Sequence, residues 1–553
     1  MTRIPDSGPE YSIATSSFAT APRAGRTARR SRRIPVYLMN LCKDSDIKDC
    51  VDSVNGASPL RPIARVLDAA VAARPDAPAI EAASGAWTYA ELDDRADRAA
   101  AALWSLGVRP GDRVAACLPN DLDIVAAFHG AQRVGAVWAG IGEALSPSEQ
   151  QHLVDLCAPA AVLAGPRCRV DSPATVDPER WSALLRTAPA APRLDHDLDA
   201  PAGIAFTSGT SGAPKAVVHS QRNLLLPGAV LVATRGWGPE LRKGDSFPFT
   251  VLNMLVLSTL LTAQAGGCAV VMDRRDVEGV AEWIARHRVT VWNGAPAQLY
   301  DLARRPNLDL GSLREVWSGA SDTPDSVRTA FAEAHGPVPR ATYGLTEAPT
   351  VVSIDPPGTE WVSGASGRVL PQYDVAAYDD AGVRLAPGEP GELRLAAATT
   401  GPWAGLWTPA LGYWVDGRVE AGAPGPFPTG DIGTVDATGT LSVLDRKKMV
   451  IIRGGANIYP LEIERVLGAH PGIAKVAVCG IPDERLGQKV AALIESVGPA
   501  VDFEELEALC RRELAGYKVP EIWSRVDALP LNAMGKIERT RLADLVSPTG
   551  GQS

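Results

Sequence analysis

Short apolar strands alternate with longer helical segments through most of this chain, and this alternation restricts the fold more than any other feature. Apolar residues have helical spacing in PIARVLDAAVAARP (62–75), and the strand-like segment DRVAACL (112–118) is followed by another alanine-rich helix. Between them, Thr88 followed by Glu91 predicts a capping box at the start of a long helix. The alternation continues to about residue 345 and is typical of an α/β domain with largely parallel strands.

The remainder of the chain predicts two further parts. Residues 367–445 are richer in strand formers, glycine and proline, which indicates a β-rich subdomain, whereas residues 446–546 alternate again and indicate a small α+β domain. The predicted fold class is therefore α/β, with a large N-terminal domain of parallel α/β sheets over 58–445 and a small C-terminal domain. Residues 1–57, with the arginine-rich APRAGRTARRSRR, and 547–553 are predicted to be tails.

Composition excludes several classes of function. The 553 residues carry a net charge of −9, which gives no general electrostatic reason to bind nucleic acid. The richest apolar run, VLNMLVLSTLLTAQAGG (251–267), is interrupted by polar residues and shorter than the roughly 18 to 20 residues of a membrane span, so we expect a buried helix and no stable membrane insertion. The eight cysteines and seven histidines lack metal-ligand spacing, and we expect a cytoplasmic protein.

The segment FTSGTSGAPKAVV (206–218) has the composition of a phosphate-binding loop. It is crowded with glycine, serine and threonine, whose backbone N–H groups and hydroxyls can face anionic oxygens. It does not match the common nucleoside-triphosphate loop, because Pro214 precedes Lys215 and Ala216 follows it. The strand-like residues before it and the helix-like residues after it predict a strand-to-helix turn.

Four further motifs follow this loop in the sequence: YGLTEA (343–348), TGD (429–431), DRKKMVIIRGGANIYPLEIE (445–464) and PLNAMGKIER (530–539). In this order, over more than 300 residues, they resemble the motifs of the adenylate-forming superfamily, which includes acyl-CoA synthetases, peptide-synthetase adenylation domains and beetle luciferases. The resemblance covers roughly residues 60–546, and the chain looks most like the bacterial acyl-CoA synthetases.

The resemblance implies an ATP site. The residues implied to hold the β- and γ-phosphates are Thr207, Ser208, Gly209, Thr210, Ser211, Gly212 and Lys215. The residues implied to surround the rest of the nucleotide are Ser318, Gly319 and Ala320 on a strand that flanks both the adenine and the acyl group, Tyr343 against the adenine, and Gly344, which leaves room for substrate. Thr346 and Glu347 are expected near the α-phosphate, with Glu347 helping to hold Mg²⁺, a cation that prefers oxygen ligands. Asp431 is expected to accept hydrogen bonds from the ribose, assisted by Arg446.

The small domain is implied to supply the catalytic lysine. Lys536 follows Gly535 and is expected to bridge the acyl carboxylate and the α-phosphate, where a cation offsets the crowding of two anions. The family usually has Ser or Thr before that glycine, whereas this chain has Met534. Lys448 matches the hinge position, and the implied thiol tunnel is lined by Gly454 and Gly455.

The acyl pocket is expected to be apolar. In amino-acid-activating relatives an aspartate about three dozen residues after the loop lysine holds the substrate ammonium, and we align Thr250 with that position. Because Thr250 carries no charge, an α-amino acid is disfavoured. The helix that follows offers Leu252 and Val256 to the pocket, with further walls proposed at Ala320, Trp292 and Asn293. These apolar residues also fit a plain core, and the sequence leaves that alternative open.

The implied reaction is ATP-dependent activation of a small-molecule carboxylic acid, followed by thioester formation with coenzyme A. A fatty, alicyclic or aromatic acid is favoured. Two alternatives stay open: an adenylating enzyme that passes the acyl group to a carrier protein or to an amine or hydroxyl acceptor, and an inactive binding protein on the same scaffold. The second alternative is disfavoured because Lys215, Glu347, Asp431, Arg446 and Lys536 are all present.

Overall fold

The computed structural model of the protein describes residues 60–207, 214–319, 323–498, 501–531 and 537–546. The two tails predicted from the sequence lie outside the described residues. The strands, in chain order, are β1 Pro78–Ala82, β2 Gly85–Thr88, β3 Arg113–Cys117, β4 Val137–Gly140, β5 Ala161–Ala164, β6 Thr175–Val176, β7 Pro201–Thr207, β8 Lys215–Ser220, β9 Arg242–Asp245, β10 Cys268–Val271, β11 Val291–Gly294, β12 Glu315–Ser318, β13 Arg340–Leu345, β14 Ala348–Ile354, β15 Tyr373–Tyr378, β16 Gly391–Ala397, β17 Gly412–Val415, β18 Arg418–Glu420, β19 Phe427–Val435, β20 Leu441–Arg446, β21 Ile451–Arg453, β22 Ala456–Ile458, β23 Ile473–Asp483, β24 Gly487–Ser496 and β25 Ile522–Arg525.

The α-helices are α1 Asp68–Ala73, α2 Tyr89–Ser105, α3 Leu122–Arg133, α4 Pro147–Cys157, α5 Pro178–Thr187, α6 Gln221–Arg235, α7 Leu252–Leu255, α8 Leu261–Ala265, α9 Val277–His287, α10 Pro296–Ala303, α11 Asp325–His335, α12 Pro460–Gly468, α13 Phe503–Glu513 and α14 Leu542–Leu545. A π-helical turn, Val256–Leu260, joins α7 to α8, and short 3₁₀ turns lie at Ile63–Arg65, Gly516–Lys518 and Arg539–Arg541. In the helices that the structure describes, none is long and apolar enough to cross a membrane.

Two eight-stranded sheets form the larger part of the described protein. The first has the order β14-β13-β12-β11-β9-β10-β1-β2, and the second has the order β18-β17-β8-β7-β4-β3-β5-β6. The inner strands of the first sheet are parallel, as are β7, β4, β3, β5 and β6 of the second, whereas edge pairs such as β13–β14 and β17–β18 are antiparallel. The predicted α/β class is therefore confirmed, with mixed edges added to the parallel centre.

The main hydrophobic core lies between these two sheets. It joins Ile80 and Trp317 of the first sheet to Val114 and Trp138 of the second, with apolar faces of α2, α3 and α6 packed into it. Each of these four side chains is fully buried. The helix α2 begins as predicted: Glu91 N donates to Thr88 Oγ1 at 3.2 Å, and Thr88 N donates to Glu91 Oε2 at 2.7 Å.

The apolar run that is too short for a membrane span is a buried helical segment, as its polar residues predict. It comprises α7, the π turn and α8, and the residues of the π turn are all buried. This segment packs against α6, β9, β10 and β14. It therefore lies inside the main core, in contact with β14, the strand that follows Glu347.

The strand-to-helix turn predicted for the glycine-rich loop is wrong. The loop joins β7 to β8, which pair antiparallel, and α6 starts only at Gln221 behind a capping box of Ser220 and Asn223. The residues after the loop form a strand because β8 is paired on both sides, with β7 and with β17. β-branched Val217 and Val218 suit that buried position.

Residues 373–446 contain the predicted β-rich part, a four-stranded antiparallel sheet with the order β15-β16-β19-β20. Residues 451–525 contain a separate sheet, in which β22, β21, β24 and β23 are antiparallel and β25 pairs with β24 in parallel. This last sheet has its own core with α12 and α13, in which Ile463 and Leu506 are fully buried.

Candidate active site

The glycine-rich loop begins and ends on paired strands. Thr207 at the end of β7 is opposite Lys215 at the start of β8, so the loop is closed at its base. Lys215 is exposed, and its Nζ lies 5.3 Å from the ring centroid of Tyr413 on β17. The other predicted phosphate-binding residues of this loop, Ser208, Gly209, Thr210, Ser211 and Gly212, lie outside the described residues.

Glu347 lies at the turn between β13 and β14, next to Thr346. The hydroxyl of Tyr413 donates to Glu347 Oε1 at 3.3 Å, and the backbone N of Ala410 donates to the carbonyl of Glu347 at 3.2 Å. Burial, and then the negative charge of Glu347, raise the pKa of the Tyr413 hydroxyl. Tyr413 therefore contacts both Lys215 of the second sheet and Glu347, which adjoins the first sheet.

Tyr413 was not among the residues singled out from the sequence. The signal lay in GYWV (412–415), whose alternating aromatic residues are typical of a strand. Its contact with Glu347 depends on β17 pairing with β8, with Tyr413 opposite Val217. That pairing joins segments far apart in the chain and has no local sequence signal.

Tyr343, Asp431 and Arg446 form a second cluster. The hydroxyl of Tyr343 donates to Asp431 Oδ2 at 2.6 Å, and Arg446 Nε lies 2.6 Å from Asp431 Oδ1. The carboxylate is almost fully buried, whereas the Arg446 side chain is 59% exposed. Asp431 and Arg446 are opposite each other on β19 and β20, so the sheet register itself brings them together. Burial, followed by the charge of Asp431, raises the pKa of Tyr343 well above its ordinary value.

Two glycines allow close backbone approach beside this cluster. A Cβ on Gly344 would lie 1.6 Å from the carbonyl oxygen of Thr350, and a Cβ on Gly319 would lie 2.5 Å from Thr342 Oγ1. Ser318 is buried at the end of β12, where its hydroxyl bonds to that of Thr323. The β12 terminus therefore lies directly beside the strand that carries Tyr343, while Ala320 lies outside the described residues.

Three predicted acyl-pocket residues, Thr250, Leu252 and Val256, lie in the described chain and are buried. Thr250 is 7% exposed, and within the described chain its Oγ1 has no hydrogen-bond partner. Leu252 packs close to Gly203 of β7, where a Cβ would lie 2.8 Å from Leu252 Cδ2, and Val256 lies in the π turn. Tyr343 packs against the same apolar cluster as Leu252 and Val256.

Trp292 and Asn293, the two further residues predicted to line the acyl pocket, lie on opposite faces of β11. Trp292 is fully buried in the hydrophobic cluster that packs α9, α10 and α11 against the outer face of the first sheet. Its neighbour Val291 belongs to the main core instead. Because side chains alternate along a strand, Asn293 is on the same face of β11 as Val291, the face toward Leu252 and Val256.

The remaining predicted residues belong to the C-terminal part. Lys448 is exposed in the turn that follows β20. Gly454 and Gly455 are the two turn residues of the β21–β22 hairpin, with φ of 58° and 86°, so both positions favour glycine. Lys536 lies outside the described residues, and the segment that carries it is flanked by a bridge between Leu531 and Ile537.

A Mg²⁺ ion fits this donor set if substrate phosphates complete its coordination. Within the described residues no group of three or more His, Cys, Asp or Glu side chains could hold a metal ion. Mg²⁺ is usually held by one or two carboxylates together with substrate phosphates and water, not by an all-protein cage. Glu347 is half-buried, its side chain accepts a hydrogen bond from the Tyr413 hydroxyl at 3.3 Å, and it is a suitable single carboxylate.

The fold and the two charged clusters define an ATP-dependent, adenylate-forming ligase. Comparison with known proteins agrees: the model of the AMP-binding enzyme family matches residues 67–402, and that of the AMP-binding enzyme C-terminal domain matches residues 462–536. The chain belongs to this family and is an AMP-forming acid–thiol ligase.

Individual relatives cover nearly the whole chain. A feruloyl-CoA synthase from Amycolatopsis sp is 34% identical over 84% of this chain and 94% of its own length. A long-chain-fatty-acid–CoA ligase from Escherichia coli O157:H7 is 30% identical over 87% of this chain and 93% of its own. The crystal structure of ATP-bound MatB from Rhodopseudomonas palustris superposes with a TM-score of 0.77 at 26% identity, covering 88% of this chain and 99% of that one.

Proposed function

We propose that the protein is an acyl-CoA synthetase that activates a carboxylic acid with a large apolar part. In the first step the substrate carboxylate attacks the α-phosphorus of ATP, an acyl-adenylate forms, and pyrophosphate leaves. In the second step the thiol of coenzyme A attacks the acyl carbon, a thioester forms, and AMP leaves. Neither step needs a covalent bond to the protein, so the protein contributes positioning and charge neutralisation.

The observation that carries this proposal is the pair of clusters described above, whose residues come from the two eight-stranded sheets and the four-stranded sheet. Asp431 is a buried carboxylate suited to accept hydrogen bonds from ribose hydroxyls, with Tyr343 beside it for the adenine and Arg446 for charge balance. Lys215 and Glu347 flank Tyr413 and suit the phosphate end of the same nucleotide. Bound Mg²⁺ would neutralise phosphate charge, and Glu347 would hold it, next to Thr346 at the α-phosphate.

Further residues, some of them outside the described residues, complete the proposal. The loop residues Ser208, Gly209, Thr210, Ser211 and Gly212 would hold the β- and γ-phosphates, since Thr207 and Lys215 fix the base of their loop. Ser318, Gly319 and Ala320 would flank the adenine and the acyl group, and Gly344 would leave room there. Lys536 would bring its positive charge to the point where the carboxylate meets the α-phosphate.

The acid is proposed to be fatty, alicyclic or aromatic. Leu252, Val256 and Ala320 would line its apolar part, and Thr250 offers a hydroxyl in place of the carboxylate that an α-amino acid would require. The two relatives are named for a long-chain fatty acid and for a feruloyl group, one fatty and one aromatic. The buried Thr250 Oγ1, unpartnered in the described residues, gives a polar group on the substrate one place to bind.

The C-terminal part is proposed to act as a small mobile domain, 446–546, that closes over the larger domain, 58–445. Lys448 would be its hinge, and Gly454 and Gly455 would line the path of the thiol. We place the reaction in the cytoplasm, where ATP and coenzyme A are available. The acceptor is coenzyme A, and a phosphopantetheine carrier protein is the alternative that the experiment below separates.

The experiment measures pyrophosphate release with ATP and a panel of fatty, hydroxycinnamic, benzoic and amino acids, with mass spectrometry of the products. We expect release with at least one apolar acid, none with α-amino acids, and a coenzyme A thioester as product. Transfer only to a carrier protein would overturn the assignment of the acceptor. Absence of pyrophosphate with every acid would indicate the inactive scaffold.

A further inference from the structure

Two adjacent side chains of β20 connect the cluster of Tyr343, Asp431 and Arg446 to the helix α12 of the C-terminal part. Arg446 reaches Asp431 on β19, while Asp445, the residue before it, points to the opposite face of the strand. Asp445 is only 5% exposed. Its Oδ2 accepts a hydrogen bond from the backbone N of Leu461 at 2.9 Å, and its Oδ1 accepts one from the backbone N of Arg446 at 2.7 Å.

The bond to Leu461 supplies a missing cap to α12. Tyr459 precedes this helix without a side-chain cap, and Pro460, its first residue, has no N–H to donate. Leu461 therefore carries the first free donor of the helix, and a carboxylate is favoured there by the helix dipole. The cap comes from another sheet, whereas in α13 the cap is Asp502, directly before the helix, which accepts from Glu504 N at 3.0 Å.

A second contact joins the same two elements. Arg465, one turn after Leu461 on α12, donates from Nη2 to the carbonyl oxygen of Val443 at 3.2 Å, two residues before Asp445 on β20.

Burial raises the pKa of Asp445, and the Leu461 N–H and the charge of Arg539 oppose this effect. The carboxylate is thus a buried charge whose compensation depends on α12 staying in place.

Resting on the two-step reaction proposed above, we infer that Asp445 is a positioning residue that holds α12 and its sheet against β20 in one arrangement of the protein. Its two partners lie on opposite sides of Lys448 in the chain. A rotation of the C-terminal part at Lys448 must therefore break the bond between Asp445 and Leu461.

The test measures the two half-reactions separately in the full-length protein: acid-dependent exchange between ATP and pyrophosphate, and thioester formation from added acyl-adenylate. We expect Asp445→Ala to change the ratio of the two rates at least fivefold, because it alters the relative population of the two arrangements. Asp445→Asn, which keeps an acceptor oxygen, should restore most of the wild-type ratio. The matched control Asp502→Ala removes a helix cap within the C-terminal part and should lower the Tm while leaving the ratio unchanged.

Equal changes in both half-reactions, or no change in an Asp445→Ala protein that folds, would overturn the inference. If that variant does not fold, hydrogen exchange at the Leu461 amide of the wild-type protein decides: different exchange rates with ATP and acid than with acyl-adenylate and coenzyme A support the inference, and equal rates in the two states overturn it. A wild-type protein with no exchange activity for any acid would instead overturn the proposed function, so the two failures are distinguishable.

Discussion

Glu347 and Asp431 are both carboxylates of the site, but their surroundings suit them to different partners. Asp431 is fixed by Tyr343 and Arg446, and its own N–H donates to Thr429 Oγ1 at 3.0 Å, so its position is set before any ligand arrives. Glu347 has a longer contact, with the Tyr413 hydroxyl. The first arrangement suits directional hydrogen bonds to a ribose, and the second leaves an oxygen donor available for a cation.

Tyr413 should contribute to activity through its hydroxyl. Tyr413→Phe removes the donor to Glu347 but keeps the ring beside Lys215, so we expect pyrophosphate release to fall about fivefold, the effect of losing a hydrogen bond of about 1 kcal/mol. Steady-state rates at saturating ATP measure this. Tyr378→Phe is the control, because Tyr378 also lies under a cation, Arg394, but outside the site. Identical rates for Tyr413→Phe and wild type would exclude the contact as functional.

His219 should make the fold acid-sensitive. Burial lowers its pKa to about 4, with the Thr346 backbone and the Asn223 side chain acting in the opposite direction, and burial lowers that of His129 to about 3. The unfolded chain binds a proton at each histidine below pH about 6.5, but the folded state does not until much lower pH. The stabilising contribution of each neutral, buried histidine is therefore fully present above pH about 6.5. Below that pH the free energy of unfolding falls by about 1.4 kcal/mol per pH unit for each histidine, until the folded state also binds the proton.

His219→Gln should remove one of these two contributions. We expect the loss of denaturant resistance between pH 7.5 and pH 5 to be clearly smaller in this variant than in wild type, measured as the shift in urea midpoint. His152→Gln, at an exposed position, is the control and should behave as wild type. An unchanged pH dependence in His219→Gln would show that the buried imidazole is not the source.

At the scale of elements, the β13–β14 hairpin is held in shape by Gly344. Its missing side chain lets the strand approach the Thr350 carbonyl, and Thr350 itself has φ of 79°, unusual for a β-branched residue. Tyr343 and Glu347 are both within three residues of this contact. The hairpin geometry therefore sets the positions of Tyr343 and Glu347 together, the residues proposed for the adenine and the phosphates.

Gly344→Ala should lower both stability and activity, because a Cβ cannot fit without separating the strands. We expect at least a tenfold loss of pyrophosphate release and a destabilisation of about 1–3 kcal/mol, measured by thermal unfolding. Gly422→Ala is the matched control, since a Cβ there meets no atom within 4 Å. A Gly344→Ala protein as active as the control would show that this close approach is not required.

Locally encoded elements could be predicted from the sequence, and elements fixed by distant partners could not. The capping box at Thr88 and the polar residues of the 251–267 run act within a few residues, and both predictions are confirmed. The strand β8 was not predicted, because its identity depends on pairing with β17, whereas the helix-like residues that follow it do form α6. Tyr413 escaped notice for the same reason, whereas Asp431 and Arg446 stood in recognisable motifs that the register then brought together.

At the scale of the whole molecule, the order of five motifs predicted the family, and the alternation of strands and helices predicted the α/β class. The motifs together span most of the chain, and each is proposed to serve part of the ATP, acid or thiol site. The identity of the acid is proposed to depend instead on the shape left between Thr250, the π turn and β12, which belong to separate elements. Such a shape depends on packing that no single segment of sequence records.

Lys536 should separate the two half-reactions. Lys536→Ala removes the positive charge proposed to join the carboxylate and the α-phosphate, so we expect adenylate formation to fall by about a hundredfold or more. Thioester formation from added acyl-adenylate should stay within a few-fold of wild type. Lys475→Ala, which removes a lysine paired with Glu495 in the C-terminal sheet, is the control. Equal loss of both half-reactions in Lys536→Ala would contradict a role confined to the first step.

Transfer of oxygen tests the central claim most directly. The protein is given ATP, coenzyme A and an accepted acid whose carboxylate carries a heavy oxygen isotope, and the AMP is examined by mass spectrometry. Attack of the carboxylate on the α-phosphorus predicts that each AMP retains one heavy oxygen. AMP without the label, or ADP as the product, would contradict the formation of an acyl-adenylate.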